Sequence, residues 1–370
     1  MDLPTLTMSA SSGWLDQKDR FSGDISGKEK KNYTLLKKGE LSYNHGNSKL
    51  AKYGVVFSLT NYEEALVPRV YHSFKALENT SADFIEYMFS TKLPDRELGK
   101  LVSSGARMDG LLNINYDDFM NIHISIPNYE EQILMSAFFR KLDETIALHQ
   151  RKLDRLKLLK QGYLHQLFPK NDEEVPSIRF AYFENKWEQR KLGDLLTKNS
   201  KKNKDLNVTN VESVSNKTGF TKQTEQFEDY SVASADLSNY YVITEKQFAY
   251  NPSRINVGSI AYKAVGDDKS VVSPLYVSFS TKKLLNDGYL WNWFKTTSFQ
   301  SQRERLSEGG VRDTLSFNQL SEMLINVPEY LEQEKIGSFF KQMDDAIALY
   351  LSKLDKLKSI KQSLLQKMFI

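Results

Sequence analysis

Residues 130–168 read EEQILMSAFFRKLDETIALHQRKLDRLKLLKQGYLHQLF. Leu142, Ile146, Leu153, Leu156, Tyr163 and Leu167 recur at steps of three, four and seven, which places them on one stripe of a helix. At ~1.5 Å per residue this helix is a rod of roughly 57 Å, about three times the average length. A helix that long needs a partner along its stripe. Residues 331–369, LEQEKIGSFFKQMDDAIALYLSKLDKLKSIKQSLLQKMF, supply one: they align with the first stretch at a constant offset of 201, without gaps. From 126 to 168, 19 of 43 positions are identical to their mates, which marks an internal repeat. The shared residues include Pro127/Pro328, Glu131/Glu332, Gln132/Gln333, Phe139/Phe340 and Asp143/Asp344. The second stripe runs through Met343, Ile347, Tyr350, Leu354, Leu357, Leu364 and Met368. Lys160 and Lys361 sit on the seam in both copies, where a charge fixes register at some cost in stability. Two matching rods in one chain predict a pseudo-two-fold intramolecular coiled coil.

Composition sets the outer limits. With 370 residues, 40% of them hydrophobic, the chain holds two or three domains with real cores. There is no apolar run long enough to span a bilayer and no secretory leader, so no membrane partner and a cytoplasmic location are expected. The absence of cysteine excludes disulfides and thiolate chemistry. His45, His72, His123, His149 and His165 lack metal-ligand spacing and read as surface or packing residues. The net charge of +3 is small, but residues 186–204 concentrate seven lysines and arginines against Glu188 and Asp194.

Residues 1–129 carry short β-branched and aromatic runs (53–59, 65–71, 122–126) between Gly, Asn and Ser turns, predicting a mixed α+β domain. One helix stands out at residues 80–91, with Ser81 as N-cap and Phe84, Ile85, Met88 and Phe89 inward. The first rod fills 130–169, and PKNDEEVP (169–176) is a linker. A second domain over 170–330 repeats the plan before the second rod at 331–370. Tyr43-Asn44 mirrors Tyr250-Asn251, residues 84–89 mirror 289–294, and Gly105-Ala106-Arg107 mirrors Gly310-Val311-Arg312. The globular blocks have diverged far more than the rods, as suits a molecule recognising two different things at a fixed separation.

Catalytic signatures are missing. Asn251-Pro252-Ser253-Arg254 falls short of an amino-methyltransferase motif. No phosphate loop, nucleophile elbow or HExxH stands in the chain. Gly309-Gly310 would suit a phosphate cradle or a tight turn equally. The reading is a non-catalytic protein with no cofactor and no metal of its own.

The alternation of globular block and long helix, with WEQRKLGD at 187–194, the Pro328-x-x-x-Glu332-Gln333-x-Lys335-Ile336 run and Lys353-Leu354-x-x-Leu357-Lys358, resembles the DNA-specificity subunit of type I restriction-modification systems. The likeness covers nearly the whole chain. It implies two target-recognition domains, each reading one half of a split double-stranded DNA target, and two rods that pair antiparallel as the spacer setting the gap. It also implies two partner modification subunits that carry S-adenosylmethionine and methylate adenine N6, joined in the full assembly by motor-nuclease restriction subunits. The rods and their flanks would dock the modification subunits.

Phosphate contacts give affinity and side chains aimed at base edges give specificity. The candidates in the first domain are Asn44, Asn47, Lys49, Lys52, Arg69 and Arg107. In the second they are Lys198, Lys201, Lys202, Lys204, Lys222, Arg254, Arg303, Arg305 and Arg312. Arg107 and Arg312 lead because each occupies the corresponding loop of its block. One departure stands out: Met1 is level with about residue 207, so a head like 176–194, with its basic run, has no counterpart before the first domain. A weakened or altered first half-site reading is expected from that. The rival reading is a coiled-coil adaptor whose end domains bind proteins; a third is an enzyme with an unrecognised site.

Overall fold

The structure is a computed structural model and describes residues 3–20, 32–46, 48–102, 112–170, 173–216, 218–222, 236–307 and 314–369. The chain forms two compact units: residues 1–151 with 351–370, and residues 152–350. Each contains a globular block, part of the first rod and part of the second.

Unit 1 is built from β1 (Leu6–Ser9), β2 (Gly13–Asp16), β3 (Tyr33–Lys37), β4 (Leu41–Asn44), β5 (Val55–Ser58), β6 (Glu64–Pro68), β7 (His72–Phe74) and α1 (Ala82–Ser90). β1 and β2 form a hairpin, β3 pairs with β6, and β4 lies between β5 and β7, all antiparallel. Side chains alternate as a half-buried strand requires: β6 buries Ala65 and Val67 and leaves their neighbours partly exposed. The Ser81 side chain accepts from Phe84 N–H (3.3 Å) and starts α1, whose Phe84, Ile85 and Met88 face the core. The first rod, α2 (Tyr129–Gln166), is one continuous helix.

Unit 2 repeats this order. Its strands are β8 (Glu188–Lys191), β9 (Leu196–Lys198), β10 (Glu212–Ser215), β11 (Gly219–Lys222), β12 (Tyr241–Ile243), β13 (Gln247–Tyr250), β14 (Ile260–Tyr262), β15 (Ser270–Val272), β16 (Val277–Thr281) and β17 (Leu324–Val327). Its helices include α3 (Asp287–Trp293) and the second rod, α4 (Tyr330–Met368). The β10–β11 hairpin, the β12–β15 pair and the β14-β13-β16 order match β1–β2, β3–β6 and β5-β4-β7. Unit 2 adds β9 beside β16 and a β8–β17 ladder. Among the described residues of unit 1 neither addition has a counterpart, and residues 122–126, expected as a strand, join no ladder. A strand needs a neighbour to hydrogen-bond, and β17 has β8.

The rods pair antiparallel within each unit. In unit 1, Lys361 Nζ donates to Asp143 Oδ1 (2.5 Å) and Phe139 packs on Phe369. In unit 2, Lys160 pairs with Asp344, and Tyr163 meets Phe339 edge-on. The two seam lysines thus pair with repeat-related aspartates, so their charges are answered rather than stranded. Leu153 and Leu354 are the buried mid-rod leucines, while Met368, expected on the seam, is exposed.

The identical Gln132 and Gln333 have identical tasks. Gln132 Oε1 accepts from Ser81 N–H (3.0 Å) and its Nε2 donates to Pro127 O (2.8 Å). Gln333 Oε1 accepts from Asn286 N–H (2.8 Å) and its Nε2 donates to Pro328 O (2.9 Å). Each buried amide stitches the start of a rod to the N-cap of its block's helix, satisfying groups that would otherwise be orphaned.

Candidate nucleic-acid interface

In both units the central strand carries a buried tyrosine at or next to its end, Tyr43 or Tyr250, whose phenol burial pushes up in pKa. Beyond it the chain leaves the sheet as a loop, and a later segment re-enters at the same point. Leu112 N–H donates to His45 O (2.9 Å) in unit 1, and Leu315 N–H donates to Pro252 O (3.1 Å) in unit 2. These re-entries follow the segments that carry Arg107 and Arg312. Both arginines, with Asn47, lie outside the described residues.

In unit 1 this end of the sheet gathers Asn44, Lys49, Lys52 and Arg69. His45, which sequence reasoning left as a surface or packing residue, organises it: Nδ1 is 2.9 Å from Leu112 O and Nε2 is 3.1 Å from Val70 O, tying the post-β4 loop to the β6–β7 turn. His72 stacks near it, with Nε2 2.9 Å from Ile114 O; burial lowers its pKa below the ordinary 6.5, although that carbonyl opposes the effect. Gly54 closes the loop at φ +85°, where a Cβ would come within 2.4 Å of Asn44 O. Asn44 Oδ1 accepts from Gly46 N–H (3.0 Å), so this side chain is half committed to the turn. Lys52 lies over the Tyr53 ring, and Lys49 and Arg69 are exposed.

In unit 2, Lys198 ends β9 at the same sheet end as the loop carrying Arg254. Its ammonium stands 5.8 Å from the centre of the Phe317 ring. Lys201, Lys202 and Lys204 follow on a segment laid along β12, where Val242 N–H donates to Lys201 O (2.8 Å) and Lys202 Nζ donates to Asn239 (3.1 Å). Lys222 closes β11 away from that loop, and Arg305 is exposed on a separate helix. Arg303 is a correction: it is only 7% exposed and its guanidinium sits 3.3 Å from Glu304, so it presents no donors to a groove.

The arrangement provides exposed cations and amide-bearing loops at one end of each sheet, with no metal-ligating cluster among the described residues. No described helix is long and apolar enough to cross a membrane. Residues 3–158 and again 184–359 match the sequence profile of the type I restriction modification DNA specificity domain. Among solved structures, the chain resembles a type I restriction-modification S subunit from M. genitalium at 15% identity and TM-score 0.54, over 92% of this chain and 85% of that one. It also aligns with the HsdS subunit from Thermoanaerobacter tengcongensis at 14% identity and TM-score 0.46, over 90% and 81% of the two chains. No curated protein matches it.

Proposed function

We infer the function from one premise: this chain belongs to the type I restriction modification DNA specificity family and carries its domain twice. It is a DNA sequence-specificity subunit. The observation that carries the finer reading is the repeat itself, in which one scaffold is built twice with unlike loops at the equivalent sheet ends. We propose that each unit reads one half of a bipartite target, with the rods as the spacer. Lys198, Lys201, Lys202, Lys204 and Arg254 would serve the second half-site, and Lys49, Lys52 and Arg69 the first. Arg107 and Arg312 remain candidates for base contact in their loops.

In this reading the chain makes no bonds of its own. Methylation of adenine N6 is done by two modification subunits that bring S-adenosylmethionine, and cleavage by motor-nuclease subunits, all in the cytoplasm. Exposed leucines on the rods, Leu148 in unit 1 and its mate Leu349 in unit 2, support a docking role. Duplex binding measured against salt tests the assignment: affinity should fall about 10³- to 10⁵-fold between ~50 and ~200 mM salt if 6 to 10 phosphates are contacted. An adaptor for proteins would show no such slope. Incubation with labelled S-adenosylmethionine should leave DNA unlabelled unless the modification subunits are added; label transfer by the chain alone would refute a non-catalytic role.

A further inference from the structure

In unit 1 the junction between the first rod and α1 is closed by side chains. Arg140 Nη2 donates to Asp83 Oδ1 (2.5 Å), Glu86 Oε2 (3.1 Å) and Ser58 Oγ (3.1 Å), and Tyr87 Oη donates to Asp143 Oδ2 (2.7 Å). With the rods, the N-caps of α1 and α3 and the sheets aligned, the mates of these six residues in unit 2 are Lys341, Gly288, Trp291, Tyr262, Asn292 and Asp344. None of the first network survives there. Lys341 donates to Asp345 on its own rod (2.7 Å), and Gly288 has no side chain to offer. It meets Gly337 backbone to backbone, so that a Cβ on Gly337 would come within 3.0 Å of Gly288 C. All six mates line a cavity of about 890 Å³. Unit 1 keeps a smaller groove of about 460 Å³ beside Asp83, Tyr129 and Ile133, which Arg140, Glu86 and Tyr87 do not line.

Asn292 gives this cavity a polar demand. It is 2% exposed, and its Nδ2 donates to Gly288 O (2.8 Å), which fixes the orientation of the amide. Its Oδ1 receives no hydrogen bond from any described residue. A buried acceptor without a donor is destabilising, and here it belongs to a residue that borders an open space. The neighbouring carboxylates are already answered: Asp287 accepts from the Tyr262 (2.9 Å) and Thr281 (2.5 Å) hydroxyls, and Asp344 pairs with Lys160. Lys246 and Lys283 also line the cavity and are exposed.

We propose that this cavity of unit 2 binds a free nucleoside monophosphate, with an amino group of the base donating to Asn292 Oδ1 and the phosphate held by Lys246 and Lys283. Each part of the ligand answers a feature of the lining. The unpaired acceptor selects an N–H donor, the Trp291 and Tyr330 rings select a planar apolar body, and the two ammonium groups select an anion. Glu334, exposed on the same lining, accepts from the ribose hydroxyls. The volume lies in the range of small-ligand sites. The lining residues are other than those assigned to DNA, so the test begins without DNA.

The probe is adenosine monophosphate, whose exocyclic amine is the only hydrogen-bond donor on its base, titrated calorimetrically onto the full chain. Saturable one-to-one binding is expected. Purine riboside monophosphate, identical but for the missing amine, should bind about tenfold more weakly, since it leaves Asn292 Oδ1 unpaired. Asn292→Leu should abolish that preference. Lys283→Ala, at an exposed position that leaves folding intact, should weaken adenosine monophosphate and leave adenosine unchanged, so the proposal is decided even if Asn292→Leu does not fold. Absence of binding, equal affinity for the two nucleotides, or no effect of Lys283→Ala overturns it. Displacement of the bound nucleotide by duplex DNA would assign the cavity to a nucleotide within DNA and overturn it as well.

Discussion

Glu131 and Glu332 stand at the same step of the same repeat, yet one faces solvent and the other is enclosed by an arginine and a tryptophan. What separates them is not their own helices, which begin alike and are stitched down by the same glutamine. It is the segment preceding β9, which unit 2 packs into its core through Trp187, Leu192 and Leu195. A buried carboxylate is tolerable only when its partners arrive with it, so burial of a charge here reports what surrounds the rod rather than the rod itself. The rods are the common frame, and the blocks are where the units differ.

That contrast can be broken at several depths. Leu153→Asp in unit 2 and Leu354→Asp in unit 1 should have the largest and most nearly equal effects, because each removes buried packing of about 2 to 5 kcal/mol and adds an unpaired charge. Leu158→Asp, on an exposed rod position, should leave the melting curve in place. Denaturant titration reads all three, and unequal loss at the two seam sites would deny that the rods are equivalent. Copurification of the modification subunits should fail with Leu153→Asp as well.

Glu332→Ala comes next, at about 3 to 5 kcal/mol, because it strands Arg179 and the Trp187 indole N–H. Glu131→Ala should change stability little, and a comparable loss there would mean the two sites are alike after all. Gln132→Ala and Gln333→Ala should each cost about 1 to 3 kcal/mol, the two values agreeing closely, since each leaves a buried N–H and carbonyl unpaired. The smallest effect belongs to His72, whose counterpart in unit 2 is Val277. Burial lowers its pKa in the fold, so the unfolded chain takes up the proton first, and stability present above the ordinary 6.5 is lost as pH falls through the lowered value. Melting temperature measured from pH 7.5 to 5.5 should therefore drop less in His72→Gln; an unchanged slope would remove His72 as the cause.

Much of this was legible in the sequence because periodicity and repetition are linear signals. The rods, their partnership and the Ser81 cap all followed from spacing, and the resemblance supplied the antiparallel sense. The shared lysine announced a seam feature but not its aspartate mate, which only the antiparallel register brings alongside. Residues 122–126 have the composition of a strand without a partner to pair with, a condition composition cannot express. Arg303 misled because a residue's charge says nothing about which side of a short helix it takes. His45 was passed over because its role lies in two carbonyls distant in sequence, at Val70 and Leu112.

The central claim is that two unlike readers are mounted on one repeated frame. Mapping methylated adenines in DNA exposed to this chain with its modification subunits tests it most directly, by giving the recognised sequence base by base. Two short specified segments separated by a fixed unspecified gap, with substitutions at Arg254 relaxing one segment only, is the outcome expected. A single uninterrupted motif, or relaxation of both segments together, would contradict it.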